Sequence, residues 1–397
     1  MPESFTATTP YWLDYEYEPR PALEGPLHAD ACVIGGGVSG LSAARELARR
    51  GLDTVLLEAR TIASGASGRN GGFLLAGPAI FYPEACERYG REPASRLYAR
   101  TLEIQEEIYE LAAGIGAADA VRRVGCLRLA TSEDEAAHVR THVEMLRADG
   151  FPAELITRDG LPALLQRIGH TACLTEHDGA LQPARWIRAL AAQAEREGVR
   201  IYEGSAAEAP VPAPGEGSVR TPAGSVGAPL VIVAADGPLP RLLPAFAGQA
   251  RARRLHMVAT VPIPERLFAN LVYARWGYEY FQQTADGRLA LGGLSDLDGE
   301  RSYTDREEGD QEVWAALRRY LRDDLGLDVE VTHRWVGVVG YAADDRVRAG
   351  AVPGRDGLFA TGVYGGHGNV IGFMAGRAMA ELASSGASQD AELLRPP

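Results

Sequence analysis

The sequence predicts an α/β protein with two parts: a Rossmann-type dinucleotide-binding domain built from discontinuous segments, and an α+β domain with an antiparallel sheet. Residues 31–58 have the order of strand, glycine turn, helix and strand that binds dinucleotides. Apolar strands run into a glycine turn again at 230–237 and at 357–362. Residues 250–295 instead alternate in short runs, which is typical of antiparallel strands.

The first nucleotide-binding unit begins with an apolar run at 31–34, the length of a short buried parallel strand, and ends with another at 54–57. The helix between them follows glycines with the G-x-G-x-x-G spacing, namely Gly35, Gly37 and Gly40. These glycines permit a tight turn, the approach of a pyrophosphate and close packing of helix on strand. Glu58, after the second strand, is placed to accept hydrogen bonds from a ribose.

A second glycine-rich stretch, GASGRNGG, occupies residues 65–72. It is too polar for a core element, and it follows the second strand by only a few residues. A βαβ fold places such a segment at the carboxyl edge of the sheet, beside the pyrophosphate. Its backbone N–H groups, with Ser67 and Asn70, are expected to continue the phosphate cradle.

The pattern between 84 and 148 departs from Rossmann alternation. A long helical repeat is followed by a predicted strand at 124–130 and a helix at 133–148, which indicates an inserted domain. Pro183 then begins a helix that leads into a strand at 199–202, as in a βαβ crossover.

The end of the chain returns to the nucleotide-binding pattern. A glycine-rich turn at 362–368 precedes a predicted helix at 371–384, and the tail 385–397 is expected to fray. A nucleotide-binding fold that is assembled from three separate segments of the chain is typical of large flavoproteins. In these proteins the last helix points its N-terminus at the isoalloxazine ring, where it stabilises negative charge at N1 and C2=O.

These alternations predict two domains made of five segments. The nucleotide-binding, FAD-type domain takes 1–80, 169–247 and 335–397, and the substrate domain takes 81–168 and 248–334. Residues 1–30 form an arm whose aromatic side chains are expected to pack on the body of the protein.

Composition excludes several classes of function. The 397-residue chain has 40 basic and 53 acidic residues, a net charge of −13, which argues against nucleic acid and anionic membranes as partners. Every basic residue is arginine, so a Walker-type phosphate loop and a Schiff-base lysine are excluded. No apolar run reaches the roughly 20 residues of a membrane span. The four cysteines form no C-x-x-C pair, which predicts a reducing, cytoplasmic location and no metal site.

These motifs resemble the FAD-dependent D-amino-acid-oxidase superfamily, which includes glycine oxidase, sarcosine oxidase and γ-glutamylputrescine oxidase. The resemblance is closest to the γ-glutamylputrescine-oxidase-like branch, and it covers nearly the whole chain. It rests on the fingerprint with Glu58 and on the stretches 11–14, 65–72, 179–183, 286–293 and 362–368.

The resemblance implies FAD as the cofactor. Sarcosine oxidases attach FAD through a cysteine just before the segment that matches 339–341, and this chain has no cysteine there, so the FAD is expected to be non-covalent. The residues implied to bind it are Gly35, Gly37, Val38, Ser39, Gly40, Glu58, Ala59, Arg60, Gly65, Ala66, Ser67, Arg69, Asn70, Gly71, Gly72, Ala235, Gly237, Gly362, Gly366, His367, Gly368, Asn369 and Val370.

The reaction implied by the resemblance is oxidation of a C–N bond in a small amine or amino acid, with hydride transfer to flavin N5 and hydrolysis of the resulting imine. His367, Tyr280 and Gln282 are the candidate catalytic or substrate-contacting residues. Tyr280 is equally expected as sheet packing, and His367 is expected as a structural or flavin-polarising group rather than as a proton acceptor. The candidates to clamp a substrate carboxylate are Arg69, Arg275 and Arg334, although in a chain whose basic residues are all arginine each is better interpreted as a surface or scaffold residue.

The electron acceptor is left open by one departure from the family. Sarcosine oxidases place a lysine near the flavin to promote reaction with dioxygen, and the matching position here is Ala290. The acceptor is therefore dioxygen or another oxidant. Two alternatives stay open: a flavoprotein dehydrogenase or electron carrier that acts on no amine, and a nicotinamide-dependent reductase with the same fingerprint.

Overall fold

The computed structural model describes residues 9–394. Its strands are β1 Gly25–His28, β2 Ala31–Ile34, β3 Thr54–Leu57, β4 Phe73–Leu74, β5 Val121–Arg123, β6 Cys126–Ala130, β7 Glu154–Thr157, β8 Thr171–Thr175, β9 Gly179–Leu181, β10 Arg200–Tyr202, β11 Val219–Arg220, β12 Gly224–Gly227, β13 Leu230–Val233, β14 Arg251–Thr260, β15 Leu271–Ala274, β16 Glu279–Gln283, β17 Leu289–Gly293, β18 Val331–Tyr341, β19 Arg348–Ala351 and β20 Leu358–Gly362.

The α-helices are α1 Val38–Arg49, α2 Ala66–Arg69, α3 Tyr82–Tyr89, α4 Arg91–Gly114, α5 Glu133–Ala148, α6 Pro183–Arg196, α7 Leu239–Leu242, α8 Ser295–Asp298, α9 Gln311–Arg319, α10 Gly368–Ser385 and α11 Gln389–Leu394. Short 3₁₀ turns lie at Tyr11–Leu13, Arg158–Gly160, Leu165–Arg167, Pro244–Phe246, Arg275–Gly277 and Gly299–Ser302, and a π-helical turn at Tyr320–Asp324. Among the described helices, none is both long and apolar enough to cross a membrane.

A six-stranded sheet in the order β10-β3-β2-β13-β20-β19 forms the nucleotide-binding part of the fold. Its strands pair in parallel except for the last pair, β20 and β19. Every residue of β2 and β3 is buried, as expected for strands covered on both faces. The helices α1 and α10 pack closely together, and a Cβ atom at Gly376 would overlap the carbonyl oxygen of Ser39.

An eight-stranded sheet in the order β18-β14-β17-β16-β15-β6-β8-β7 forms the second large layer. The predicted antiparallel run at 250–295 corresponds to β14–β17. This run joins the earlier strands where β15 pairs in parallel with β6. The sheets together confirm the predicted mixed α/β fold class. The predicted boundary between the segments 248–334 and 335–397 falls inside strand β18. The bounds of the five domain segments stay a prediction.

The aromatic arm packs on the body as expected for its described part, and positions 1–8 lie outside the described residues. Trp12 is 1% exposed, and its indole N–H donates to the carbonyl oxygen of Asn70 at 2.8 Å. The Tyr17 hydroxyl donates to the Glu203 carboxylate at 2.6 Å. The first contact places the arm against the second glycine-rich stretch, and the second places it against the residue that follows β10.

The C-terminal prediction is wrong in two places. Helix α10 begins at Gly368 instead of residue 371, because the glycine-rich turn ends one turn earlier than the apolar pattern indicates. Residues 389–394 form α11 instead of fraying. Asp390, which is buried, holds this helix by ion pairs with Arg100 at 2.8 Å and with Arg377 at 2.9 Å.

His256 on β14 makes stability sensitive to acid. It is fully buried, and its Nε2 accepts the backbone N–H of Asp310 at 2.7 Å, so the folded protein holds it neutral. Burial, with Arg254 nearby, lowers the pKa of His256 to about 4 from 6.5. Between pH 4 and pH 6.5 the unfolded chain therefore binds more protons than the folded protein. The contribution of neutral His256 to the free energy of unfolding is fully present above pH 6.5 and is lost as the pH decreases toward 4.

We expect the free energy of unfolding to decrease by about 3 kcal/mol across this window on account of His256. Urea titrations at several pH values will measure it, with His256→Gln as the comparison. The variant is expected to lose stability at neutral pH and to show a flatter dependence on pH. An equal slope in both proteins would contradict this assignment.

Candidate active site

A cavity of about 380 Å³ lies between the eight-stranded sheet and the loops that end the nucleotide-binding strands. A smaller cavity of about 60 Å³ lies beside it, against the start of α1. The two are continuous, since they share five lining residues: Ala66, Asn70, Val339, Gly366 and Asn369. Together they form one cleft from the glycine fingerprint to the sheet.

The fingerprint residues divide into those that face the cleft and those that shape the turn. Gly37, Val38 and Ser39 line the smaller cavity. Gly35 has a φ of +114°, and a Cβ at Gly40 would overlap its carbonyl oxygen, so neither position accepts a side chain. A Cβ at Gly37 would fall 2.8 Å from the Ser67 hydroxyl, which accepts the N–H of Val38 at 3.0 Å. The two glycine-rich stretches therefore meet, as the sequence predicts.

Glu58, Ala59 and Arg60 line neither cavity. The Glu58 carboxylate accepts the backbone N–H of Gly36 at 2.7 Å and that of Arg60 at 2.9 Å, and burial raises the pKa of its carboxyl. The Arg60 guanidinium pairs with Glu307 at 2.9 Å. Glu58 thus braces the glycine turn in this structure, and its contact with a ribose stays a prediction.

The stretch 65–72 is tied to the start of α10 by two asparagines. The Asn70 amide donates to the carbonyl oxygens of Ala66 and Ser67, each at 3.0 Å, and its oxygen accepts the N–H of Gly72 at 2.8 Å. Asn369 donates to that same Asn70 oxygen at 3.2 Å. Ala66, Arg69 and Gly71 face the larger cavity, whereas Gly65 and Gly72 do not.

Three of the residues predicted to bind FAD after β13 and β20 line neither cavity, and their contact with the cofactor stays a prediction. Ala234 and Asp236 line the smaller cavity, and Ala235 and Gly237 line neither. Gly362 also lines neither, since it packs against the Asp236 backbone. Gly366, His367, Gly368, Asn369 and Val370 do line the cleft.

Met257, Tyr273 and Tyr280, which line the larger cavity, belong to one row of residues across the eight-stranded sheet. Arg128, Tyr273, Tyr280, Gly292 and Met257 stand opposite one another on successive strands, so they share one face. Tyr280 lines the cavity and also packs edge-on against Phe73, with ring centres 6.0 Å apart. Tyr280 therefore occupies both of the expected positions, in the cavity wall and in the packing of the sheet, and its contact with a substrate stays a prediction.

Gln282 does not line the larger cavity. Its amide nitrogen donates to the carbonyl oxygens of Gly71 at 2.7 Å, Gly72 at 3.2 Å and Leu181 at 3.3 Å. The structure therefore makes it a positioning residue for the second glycine-rich stretch. The sequence placed it correctly on the face of Tyr280, but it cannot indicate which hydrogen bonds occupy the amide.

His367 is the residue before α10 and lines the larger cavity. Its Nε2 lies 3.4 Å from the Tyr273 hydroxyl, and its buried Nδ1 has no hydrogen-bond partner among the described residues. Burial, with a further contribution from Arg128, lowers the pKa of His367 to about 3. The imidazole is therefore neutral at physiological pH. Tyr273 was missed from the sequence, and its only signal is its position opposite Tyr280.

Two of the arginines predicted to clamp a carboxylate are already paired. Arg69 donates to the carbonyl oxygens of Ser64 and Val336 and pairs with Glu307 at 3.3 Å. Arg275 pairs with Glu279 and with Asp296. Arg334 and Arg275 do not line the larger cavity. Arg253, which was not predicted, does line it.

Comparison with known proteins identifies the family of this chain. The family model described as DAO, FAD dependent oxidoreductase, matches residues 30–382. The chain belongs to this family of FAD-dependent oxidoreductases. The predicted resemblance and the predicted cofactor, FAD, are confirmed.

Two relatives cover most of this oxidoreductase. The chain is 30% identical to the probable oxidoreductase OrdL of Rhizobium meliloti over 94% of this chain and 87% of that protein. It is 28% identical to the gamma-glutamylputrescine oxidoreductase of Escherichia coli over 92% of this chain and 86% of that protein. The structure of glycine oxidase from Geobacillus kaustophilus has the same fold, with a TM-score of 0.77, 21% identity and coverage of 91% and 96%.

The cleft of this family member fits FAD. The N-termini of two long helices, α1 and α10, face it, and such ends attract the negative charge of a pyrophosphate or of a flavin ring. The Gly37 position leaves no room for a side chain where the phosphates are expected. The larger cavity is lined partly by apolar side chains, among them Leu255, Met257 and Val339, which suit an aromatic ring.

Proposed function

We propose that this oxidoreductase oxidises the C–N bond of a small amine or amino acid. The observation that carries the proposal is the larger cavity, where a neutral histidine and two tyrosines, His367, Tyr273 and Tyr280, stand beside apolar side chains. This cavity continues into the smaller one at the fingerprint. Bound FAD supplies a hydride acceptor, N5, and the imine product then hydrolyses.

The cofactor is held, in this proposal, by groups along the whole cleft. The α1 N-terminus at Val38 and Ser39 takes the pyrophosphate, and Glu58 takes the ribose. Asn70, Gly71 and the α10 N-terminus border the ring. The attachment is non-covalent, and no cysteine lines either cavity.

The amine is selected in its neutral form. An amine with a solution pKa near ~10 is charged at pH 7, and an apolar cavity disfavours the ammonium. The unpartnered Nδ1 of His367 accepts an N–H of the amine in the tautomer whose Nε2–H donates to the Tyr273 hydroxyl oxygen. His367 thus orients the amine without taking up a proton, because its pKa is about 3.

The pH profile follows from this assignment. We expect kcat/KM to rise with pH up to the pKa of the amine, because only the neutral amine binds productively, and to show no inflection from a histidine between pH 5 and 8. Profiles for two amines with different pKa values will test this. The pH at which kcat/KM stops rising should differ between the two amines, and in each case it should follow the pKa of that amine. An inflection near pH 6.5 that is absent in His367→Gln would contradict the neutral imidazole.

The function itself is tested by the visible spectrum of the purified protein and by a panel of amines. We expect the absorption of oxidised flavin and its anaerobic bleaching by at least one amine. A colourless protein that oxidises NADH or NADPH would support the nicotinamide reductase instead. Bleaching by no amine would support the electron carrier. Hydrogen peroxide release in air will separate an oxidase from a dehydrogenase.

We also place the enzyme in the cytoplasm. Its cysteines, Cys32, Cys86, Cys126 and Cys173, are all free thiols, and three of them are buried. Free thiols suit a reducing compartment.

A further inference from the structure

The backbone carbonyl groups of residues 69–72 all accept hydrogen bonds from groups outside the cleft. The indole N–H of Trp335 donates to the first carbonyl oxygen at 2.9 Å, and the indole N–H of Trp12 donates to the second at 2.8 Å. The Gln282 amide donates to the third at 2.7 Å and to the fourth at 3.2 Å. None of these three donor side chains lines either cavity of the cleft. The carbonyl side of this stretch is therefore turned away from the cleft.

The hydrogen bond from Trp12 fixes the direction of one particular N–H group. The peptide between Asn70 and Gly71 is trans, so its carbonyl oxygen and its N–H point in opposite directions. Because the Asn70 carbonyl oxygen points at Trp12, the Gly71 N–H points away from Trp12. Gly71 is buried and lines the larger cavity, and within residues 9–394 its N–H has no acceptor. Since buried N–H groups are rarely left unpaired, this donor indicates an acceptor that enters the cavity.

Trp12 is held in place by contacts on both sides of its indole. Its side chain is buried, and its ring meets the Trp335 ring edge-on, with ring centres 6.1 Å apart. Its own carbonyl oxygen accepts the Gln182 amide at 2.9 Å. The preceding residue, Tyr11, donates its hydroxyl to the Asp286 carboxylate at 2.8 Å. These contacts leave the Trp12 indole little freedom to turn.

The hydrogen bonds of Trp12 and Trp335 are not a general property of the buried tryptophans in this chain. Trp186 and Trp314 are also buried, and the indole N–H of each has no hydrogen-bond partner among the described residues. The two indoles that do have partners reach adjacent carbonyl groups of one glycine-rich stretch. The proposed function assigns this same stretch to the cofactor.

We propose that Trp12 is a positioning residue for the cofactor. By holding the Asn70 carbonyl group, Trp12 directs the Gly71 N–H at the flavin ring, and Trp335 supports the same backbone one residue earlier. The N-terminal arm is thus part of the FAD site without lining it. This inference rests on the proposed function, which places the ring beside Gly71. It gives Trp12 no part in the oxidation of the amine.

The first test measures the dissociation constant of FAD for the apoprotein and its variants. Trp12→Phe keeps an aromatic ring but removes the indole N–H. We expect it to raise the dissociation constant about 5- to 10-fold, the effect of one hydrogen bond, and Trp335→Phe to act in the same direction. The matched control is Trp186→Phe, which loses an indole N–H that has no partner and should bind FAD as the wild type does. Equal dissociation constants for Trp12→Phe and Trp186→Phe would overturn the proposal.

The second test separates positioning from packing. Thermal unfolding with and without FAD gives the stabilisation that the cofactor adds, and the visible circular dichroism of the bound flavin reports the surroundings of the ring. We expect Trp12→Phe to reduce the FAD-induced increase in Tm and to change the dichroism, and Trp186→Phe to do neither. If Trp12→Phe only lowers the Tm, with the same FAD-induced increase and the same dichroism, Trp12 is a packing residue and the proposal is wrong.

The third test leaves both indoles intact and releases the arm beside them. Tyr11→Phe removes the hydroxyl that donates to Asp286, so we expect the dissociation constant of FAD to rise about 2- to 5-fold. Tyr15→Phe is its control, because the Tyr15 ring meets arginines but its hydroxyl forms no hydrogen bond within residues 9–394. Equal FAD binding by these two variants would contradict the role of the arm. FAD binding that depends on Trp12, in a protein that no amine bleaches, would instead overturn the proposed function and retain the role of Trp12.

Discussion

Replacing Gly40 by alanine is expected to give a protein that purifies without flavin and unfolds at a lower temperature. The new Cβ would overlap the carbonyl oxygen of Gly35, which belongs to the backbone of the glycine turn. Because neither α1 nor the turn has a flexible side chain that can move aside, the helix must shift away from strand β2. Such overpacking costs about 1–3 kcal/mol or more. The shift also moves the α1 N-terminus away from the position in which we propose that it binds the pyrophosphate.

The loss is measured by the ratio of flavin to protein absorbance and by thermal unfolding with and without added FAD. Gly114→Ala is the matched control, because no atom lies within 4 Å of its Cβ position and its φ is not left-handed. This control is expected to bind flavin normally and to be as stable as the wild type or slightly more so. A flavin content in Gly40→Ala equal to that of the control would show that the turn tolerates a side chain.

The first nucleotide-binding unit was predictable because its signals are local. The predicted strands at 31–34 and 54–57 have the bounds of β2 and β3, and the helix between them follows the glycines as expected. A short buried strand and a glycine turn depend on neighbouring residues in the chain. The same is true of α5, which begins and ends at the predicted residues 133 and 148.

The substrate side of the cleft was less predictable because it depends on pairing between distant strands. Tyr273 gains its place from the register that sets it opposite Tyr280 and beside Arg128. Arg253 is one of three arginines within four residues, and only the structure shows that it lines the larger cavity.

Asp236 was missed for a different reason. The sequence predicts a ligand site where β13 ends, but it does not determine which residues of the turn face inward. Asp236 has a left-handed φ of +46°, a conformation that aspartate tolerates better than most residues. This conformation turns its carboxylate toward the ends of β18 and β20.

Replacing Asp236 by alanine is expected to unfold the junction of the two large sheets. Its carboxylate accepts the backbone N–H groups of Gly340 at 2.9 Å, Val363 at 2.8 Å and Tyr364 at 3.4 Å. Each buried donor left without a partner costs about 1–3 kcal/mol, so the sum is on the order of 4 kcal/mol. Val363 itself has a left-handed φ of +65°, which is strained for a β-branched residue and is retained only while this anchor holds it.

Chemical denaturation and flavin content will measure the effect for three variants. Asp236→Asn keeps one carbonyl oxygen as an acceptor and should fall between the wild type and Asp236→Ala. Asp356→Ala, in the exposed loop before β20, removes a carboxylate of the same size and should change neither quantity. Equal stability of Asp236→Ala and Asp356→Ala would mean that the three N–H groups find other partners. If stability and flavin content both decrease in the order wild type, Asp236→Asn, Asp236→Ala, this carboxylate is the group that holds the glycine-rich turn before α10 against the eight-stranded sheet.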